Sequence, residues 1–258
     1  MKITLLTIFP EFFPDAFGDG MIRVARETGR LEVSVVNLRD FTDDPHRTTD
    51  DYPFGGGAGM VMKIEPIFKA LASLGLAGDT PNTVRGRRGA GTRVVLTSPQ
   101  GPRFTQETAI AWAGLETLVI LCGRYKGVDE RVAQHLVDEE FSLDDFVLSG
   151  GEPAVLCVVD AVARLLPDVV GCFDSVESDS FHSGLLDCTY FTRPAEFMSW
   201  PVPEVLRSGH HAQIARARRE EALRRTFERR PELLERAELS DADRRFLRTL
   251  KREHEPRA

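Results

Sequence analysis

The hydrophobic positions of the chain fall into two alternating patterns. Short apolar and β-branched runs are typical of buried strands, whereas apolar residues that recur every three or four positions are typical of helices. The strand pattern covers residues 3–9, 31–38, 93–98 and 117–122, and the helix pattern covers residues 21–28, 64–74, 105–113 and 153–166. Alternating strands and helices predict an α/β fold with a largely parallel sheet.

A change of pattern near residue 171 predicts a second domain. Residues 171–183 lose the apolar period and are rich in Ser, Asp and Glu, whereas residues 212–227 and 231–239 return to helical spacing. We therefore predict an α/β domain over residues 1–170, a flexible interdomain linker over residues 171–184 and a small α-helical domain over residues 185–258.

Composition narrows the class of protein. With 258 residues, 42% hydrophobic and 28% charged, the chain does not fit the disordered, collagen-like or coiled-coil classes. The four cysteines are 35, 15 and 16 positions apart, which excludes C-x-x-C zinc and redox motifs. No signal-peptide pattern and no apolar run of roughly 20 residues is found. We therefore expect a soluble, cytoplasmic protein with reduced thiols.

Charge is distributed unevenly along the chain. The net charge is −7, yet residues 207–258 hold 15 Lys and Arg against 10 Asp and Glu, so this segment is +5 and the rest is −12. From composition alone, the basic segment is either a solvated helical face with ion pairs or a surface that binds nucleic acid.

Two glycine-rich segments offer weak signals. Gly55-Gly56-Gly57-Ala58-Gly59 lacks the spacing of a P-loop or a dinucleotide fingerprint, so we interpret it as a loop that passes close to another backbone segment. Residues 78–91 are rich in Gly and Arg and are interpreted as a flexible surface connection, with contact to RNA as the alternative. The metalloprotease and α/β-hydrolase motifs are absent from the sequence.

The candidate chemistry lies in four polar, mostly glycine-containing stretches that we place beyond strand ends. Ligands of parallel α/β sheets bind in such loops, and glycine lets a ligand reach backbone N–H and C=O groups. The stretches are residues 96–101, 122–131, 142–152 and 191–194.

In this order, the stretches resemble the bacterial tRNA (guanine-N1)-methyltransferases, the TrmD family of the SPOUT superfamily. The resemblance begins at Ile8-Phe9-Pro10-Glu11-Phe12 and ends at Arg229-Arg230-Pro231-Glu232-Leu233-Leu234, so it covers nearly the whole chain. It implies a homodimer that transfers the methyl group of S-adenosylmethionine to N1 of guanosine at tRNA position 37, after another guanosine. The implied partners are the tRNA anticodon stem-loop and a second copy of the chain, with no membrane and no DNA; the resemblance also implies Mg²⁺.

The resemblance implies a SPOUT-type parallel sheet with a deep trefoil knot, one of the few exceptions to the rule that chains do not thread their own loops. The knot loops would be residues 96–100, 123–125 and 143–151, and they would hold the cofactor in a bent shape. The implied cofactor-binding residues are Leu96, Thr97, Ser98, Pro99, Gly123, Arg124, Tyr125, Ser142, Leu143, Asp144, Asp145, Phe146, Val147, Leu148, Gly150 and Gly151.

Two charged residues match the catalytic pair of the family. By this resemblance Asp179 is the general base that takes the proton of guanine N1, and Arg164 stabilises the negative charge that develops on O6. Neutral guanine N1 carries a proton and is a poor nucleophile, so methyl transfer needs such a base and such a cation. No metal-ligating residues are predicted.

The basic C-terminal helix acquires a role in the same way. Residues 210–230 would contact phosphates of the anticodon stem, which position RNA without reading its sequence. The arginines concerned are Arg216, Arg218, Arg219, Arg224 and Arg225.

One departure from the family pattern favours an alternative function. Lys126 stands where the motif Gly-Arg-Tyr-Glu-Gly has glutamate, so the charge is reversed beside a pocket that must accept a cationic sulfonium. This departure suggests the alternative of a tRNA-binding protein with impaired catalysis. Independently of Lys126, a methyltransferase of the same superfamily that acts on another RNA site is the second alternative.

Overall fold

The chain forms two compact units, described here from a computed structural model. The first unit is Met1–Gly171 and the second is Cys172–Ala258. The structure describes residues 1–77, 89–171 and 173–254. Most of the Gly/Arg-rich segment at residues 78–91 lies outside the described residues.

A five-stranded sheet forms the centre of the first unit. The strands of this unit are β1 (Lys2–Thr7), β2 (Glu32–Asn37), β3 (Asp50–Asp51), β4 (Val61–Met62), β5 (Thr92–Thr97), β6 (Thr117–Leu121) and β7 (Glu139–Phe141). The sheet has the order β2-β1-β6-β5-β7, and every pairing in it is parallel. This confirms the predicted α/β fold, and it places the carboxyl ends of all five strands at one edge.

Helices lie against the sheet. They are α1 (Gly20–Glu27), α2 (Ile64–Ser73), α3 (Gln106–Ala113), α4 (Glu130–His135) and α5 (Glu152–Ala163). Helix α5 contacts α1 and α3, whereas α2 contacts α4. Alternate strand residues such as Leu96 and Leu121 pack with Ile67 of α2 and Val132 of α4 in one buried cluster. Because helices bury the central strands β1, β5 and β6, these three strands read as nearly continuous apolar runs.

The second unit is mainly helical. It contains α6 (Phe173–Glu177), the hairpin β8 (Glu196–Phe197) and β9 (Trp200–Pro201), α7 (Glu204–Arg207), α8 (His211–Arg229) and α9 (Asp241–His254). Leu185, Leu223, Leu247 and Leu250 form its buried core. Thr226 of α8 accepts a hydrogen bond from the Leu186 amide at 3.0 Å, which ties the chain before the hairpin to the helix.

Several element boundaries differ from the predictions. The helix predicted over residues 153–166 ends at Ala163, with Arg164 as its C-cap, because tighter turns at Leu165 and Leu166 precede a proline. The helix predicted over residues 231–239 is only a 3₁₀ turn, Pro231–Glu235. Within the described ranges, no helix has the length and apolar composition needed to cross a membrane.

Candidate active site

A cavity of about 320 Å³ opens at the carboxyl edge of the sheet. We call it the sheet-edge cavity; the loops after β5, β6 and β7 form its wall. Fifteen of the sixteen residues predicted to bind the cofactor line it. They are Leu96, Thr97, Ser98, Pro99, Gly123, Arg124, Tyr125, Ser142, Leu143, Asp144, Phe146, Val147, Leu148, Gly150 and Gly151.

The predicted stretches differ in how they relate to this cavity. Asp145 does not line it, and its carboxylate instead pairs with Arg103, as does that of Asp144 at 3.1 Å. The stretch at residues 191–194 belongs to the second unit, so placing it beyond a strand of the sheet is wrong. No strand directly precedes residues 191–194 in the structure. The sequence pattern alone did not reveal this.

Close backbone contacts hold the loops together. The Gly123 amide donates to Thr97 Oγ1 at 2.8 Å, and the Gly151 amide donates to the Gly123 carbonyl at 2.9 Å. A Cβ at Gly123 would stand 2.7 Å from the Thr97 carbonyl oxygen, so no larger residue fits there. Three separate segments are therefore joined within hydrogen-bonding distance at the floor of the cavity.

A buried polar network lies beside this floor. Glu152, at the start of α5, has no solvent exposure and accepts from Thr7 Oγ1 at 2.7 Å and from Arg124 Nε at 2.9 Å. The Arg124 guanidinium also lies over the Phe9 ring, 4.4 Å from its centre. Burial, together with the negative charge of Glu152, raises the pKa of Cys122 well above its usual range. Cys122 is therefore a neutral thiol in this site.

The glycine-rich segment passes close to another backbone segment, as predicted. The Lys126 amide donates to the Met60 carbonyl at 2.9 Å, and a Cβ at Gly59 would meet the Lys126 side chain at 3.6 Å. Tyr125 has a left-handed backbone, with φ of 60°. Burial and a hydrogen bond with the Asp50 carboxylate raise the pKa of Tyr125. The exposed Lys126 side chain thus lies on the cavity wall.

Some lining residues lie outside the stretches predicted from sequence. They are Val61, Ala133, Glu140, Phe141 and Ala154. Glu140 and Phe141 belong to β7, which is only three residues long and was not predicted as a strand. Ala154 and Ala133 could have been found from their position in the first turns of the helices that follow the predicted loops.

The two predicted catalytic residues lie in different units. Arg164 is the C-cap of α5 in the first unit, and Asp179 follows α6 in the second; both are partly buried. The Asp179 amide donates to the Val176 carbonyl at 3.3 Å, so a turn continues from the helix. Their joint action at one site stays a prediction.

Helix α8 carries the predicted arginine cluster, and its members have different environments. Arg219 forms an ion pair with Asp243 of α9 at 3.0 Å, and Arg224 lies over the Phe246 ring at 5.7 Å. Arg216 has a side chain that is 81% exposed, and it forms an ion pair with Glu220 one turn away. Arg218 lies over the Tyr190 ring at 5.7 Å. Arg219 thus stabilises the unit, whereas Arg216 faces solvent.

Metal-ligating side chains do not cluster in the described part of the chain. Among these residues, no group of three or more His, Cys, Asp or Glu side chains could hold a metal ion. The Mg²⁺ implied by the resemblance therefore has no resident site among them.

Comparison with known proteins gives full-length matches. The family described as tRNA (Guanine-1)-methyltransferase TrmD matches residues 1–236. A tRNA (guanine-N(1)-)-methyltransferase of Dehalococcoides mccartyi is 46% identical over 257 residues, which are 100% of both chains. Proteins of the same description from Bacillus cereus (strain B4264) and Syntrophotalea carbinolica are 47% and 49% identical over 253 residues, covering 98% of this chain and 100% and 98% of theirs. The similarity therefore extends through both compact units.

Proposed function

The chain belongs to the tRNA (guanine-1)-methyltransferase family, and we propose that it methylates N1 of guanosine at tRNA position 37 with S-adenosylmethionine as the methyl donor. Methylation of tRNA guanine at N1 follows from membership of the family. The position in the anticodon loop, the donor and the residues that act are our proposal.

The observation that carries the proposal is the sheet-edge cavity. Loops from three neighbouring parallel strands form its wall, which is the usual place for a ligand in an open α/β sheet. The wall combines apolar side chains such as Leu96 and Val147 with polar side chains such as Ser98 and Gln100. Such a mixture suits an adenosine group, since its ring needs apolar surface and its edge needs hydrogen bonds.

We also propose that the chain is knotted at this site. The proposal is supported by how closely these loops pass one another. A Cβ at Gly101 would stand 2.4 Å from the Phe141 amide nitrogen, and Gly151 hydrogen-bonds to Gly123 from a different loop. Glycines at such crossings let two backbone segments approach more closely than any side chain permits.

The proposed chemistry needs two charged groups. When bound, S-adenosylmethionine supplies an electrophilic methyl group. Asp179 takes the N1 proton of guanine, which turns N1 into a nucleophile, and Arg164 neutralises the charge that develops on O6. The described residues offer no cluster for Mg²⁺, so no step is assigned to a metal.

The second unit is the proposed tRNA-binding part. Its helix α8 exposes Arg216, and the segment from residue 207 onward has a net charge of +5. Phosphate contacts from such a helix hold the RNA, while the target base leaves its stack to reach the cavity. Because binding depends on the local charge, the acidic remainder of the chain does not prevent it.

A homodimer is part of the proposal. Tyr52, Phe54 and Val147 of the first unit expose between 79% and 102% of their surface, and we propose that a second chain covers these side chains. Light scattering on the purified protein is expected to give twice the 28.8 kDa of one chain. A mass of 28.8 kDa would reject the dimer.

The function is tested by nucleoside mass spectrometry. The purified protein is incubated with S-adenosylmethionine and an unmodified tRNA transcript that carries guanosine at positions 36 and 37. A matched transcript carries adenosine at position 37. We expect 1-methylguanosine in the first transcript only; methylation of both would indicate another site.

Lys126 gives a second candidate function, a tRNA-binding protein without catalysis. Its positive charge on the cavity wall disfavours a cationic sulfonium. This candidate predicts binding of the first transcript with no methylated product. Recovery of product by Lys126→Glu would then assign the loss of catalysis to this residue.

A further inference from the structure

Glu152 is a buried carboxylate that the proposed chemistry does not use. Its side chain has no solvent exposure, although it lies directly after two glycines of the sheet-edge cavity. An ionised carboxylate is stable in such a place only when it is paired and hydrogen-bonded. The hydrogen-bond partners of Glu152 therefore indicate its structural role.

These partners come from distant parts of the chain. Thr7, the last residue of β1, donates to Glu152 Oε1 at 2.7 Å, and Arg124, in the loop after β6, donates to Oε2 at 2.9 Å. Thr7 Oγ1 also accepts from the Phe9 amide at 2.9 Å, and the Phe9 ring covers the Arg124 guanidinium. Glu152 thus joins the end of β1 to the loop after β6.

Arg124 transmits this arrangement to the cavity wall. Its backbone pairs with Gly150 in an antiparallel bridge, and its Nη1 donates to the Ser149 carbonyl at 3.3 Å. A Cβ at Gly150 would stand 2.0 Å from Arg124 Nε, so the guanidinium fills the volume beside this glycine. The position of Arg124 therefore sets the distance between two loops of the cavity.

Charge gives Glu152 a second effect on the ligand. The methyl donor carries a positive sulfonium, whereas the product S-adenosylhomocysteine is neutral. Arg124 lines the cavity with a side chain that is 19% exposed, and Glu152 balances its charge. Without that carboxylate, an unbalanced guanidinium would repel the donor but not the product.

We propose that Glu152, held by Thr7, is a positioning residue of the methyl-donor site, which fixes Arg124 between the two loops and keeps the cavity wall neutral toward the sulfonium. The proposal rests on the proposed function, because it takes the donor to bind in the sheet-edge cavity. Glu152 acts through Arg124 and does not contact the reacting atoms.

The positioning effect is tested with threonines of one strand. Thr7→Val removes the hydroxyl that holds Glu152, and Thr7→Ser keeps it. Thr4→Val is the matched control, since Thr4 is equally buried in β1 and its hydroxyl pairs with Ser34 at 3.0 Å. By calorimetry, we expect Thr7→Val to bind S-adenosylmethionine and S-adenosylhomocysteine about 10-fold more weakly. Thr7→Ser and Thr4→Val are expected to bind both like the wild type.

The charge effect is tested with Glu152→Gln. This variant keeps the shape of the side chain and removes the charge. We expect it to lose affinity for S-adenosylmethionine about 10-fold more than for S-adenosylhomocysteine, whereas a merely structural role predicts equal losses. If this variant does not fold, the affinities for the same two ligands are measured on Arg124→Gln, which removes the opposite charge. We expect this variant to lose more affinity for the neutral product than for the donor.

The outcomes separate this proposal from the proposed function. Failure of the wild type to bind either ligand would reject the proposed donor site itself. The role of Glu152 would be overturned by either of two results in a wild type that binds both ligands. One is that Thr7→Val and Thr4→Val have equal affinities; the other is that Glu152→Gln loses equal affinity for both ligands.

Discussion

Gly151 shows how much of the site is decided by single atoms. Its φ of −78° is accessible to any residue, so the backbone conformation does not require glycine. The surrounding space does, because a Cβ would stand 2.0 Å from Thr97 Oγ1 and 3.0 Å from the Cys122 Cα. Thr97 cannot rotate away freely, since its hydroxyl accepts from the Gly123 amide at 2.8 Å.

We therefore predict that Gly151→Ala damages the donor site. The added methyl group must push Thr97 or the Cys122 backbone aside, which costs roughly 1–3 kcal/mol of stability and displaces the cavity floor. Calorimetry is expected to show at least about 10-fold weaker binding of S-adenosylmethionine. Gly171→Ala is the control, because nothing lies within 4 Å of its Cβ position. Equal affinity in both variants would contradict the packing argument.

The proposed base makes a different kind of prediction. Asp179→Ala is expected to reduce methyl transfer by about 10²- to 10⁴-fold, because a positioned base contributes that much. Binding of S-adenosylmethionine is expected to stay unchanged, since Asp179 is not among the residues lining the sheet-edge cavity. Single-turnover rates and calorimetry measure the two effects separately.

Glu177→Gln is the matched control for the base. Glu177 is an exposed carboxylate two positions away, at the end of α6. The variant Glu177→Gln is expected to keep the wild-type rate of methyl transfer. A wild-type rate in Asp179→Ala would remove this residue from the mechanism.

Site residues that directly follow strands could be predicted from the sequence. Site contacts between residues far apart in the chain could not. The loop residues from 96 to 99 and from 123 to 125 were found because they follow apolar runs and match a family pattern. The contacts of Arg124 were not, because its partner Glu152 is 28 positions away and Thr7 is 145 positions from Glu152. Such pairs exist only once the sheet has brought the strand ends together.

Among helices and strands, the spacing of apolar residues predicts the long ones but not the short or highly charged ones. Strand β7 has three residues, two of them glutamates, so it carries almost no apolar signal. Helix α9 is strongly charged and was missed, although Ser240 and Asp243 form a capping box. The helical spacing of Leu247 and Leu250, which enter the core, was a second available signal.

The junction between α8 and α9 yields a pH prediction. The hydrogen bonds from Arg219 lower the pKa of Asp243 from 3.8 to about 2. A carboxyl with a lowered folded-state pKa stabilises the fold above pH 4, and this contribution is lost as the pH falls toward 2. Because the Arg219 side chain is 38% exposed, we expect the contribution to be roughly 1–2 kcal/mol.

Thermal melting between pH 2 and pH 7 measures this contribution. Asp243→Asn is expected to melt at a lower temperature than the wild type above pH 4, and the difference is expected to vanish near pH 2. Glu232→Gln is the control, since its pair with Arg230 is exposed and such pairs contribute little. A difference that persists unchanged at pH 2 would show that the Asp243 charge is not its cause.

For the whole molecule, the division into units and the division of charge fall at different places along the chain. The first unit ends at Gly171, one residue from the boundary expected from the loss of apolar period. Residues 1–206 carry −12 and residues 207–258 carry +5, so the basic charge begins with α7 and α8. The charge distribution can be read from the sequence, because it is a sum over many residues. The sequence could not predict which arginines are engaged in ion pairs within the unit.

The last prediction separates the two uses of arginine on α8. Replacing Arg216 and Arg218 with Gln is expected to weaken tRNA binding and to reduce the slope of log K against log salt by about 1 for each phosphate that is no longer neutralised. Arg219 is left intact, because removing it would leave Asp243 buried without its partner. The matched control is Arg23→Gln on α1, where Arg23 pairs with Glu27 one turn away, as Arg216 does with Glu220. A slope that equals that of Arg23→Gln would mean that α8 presents a solvated charged face rather than a surface for RNA.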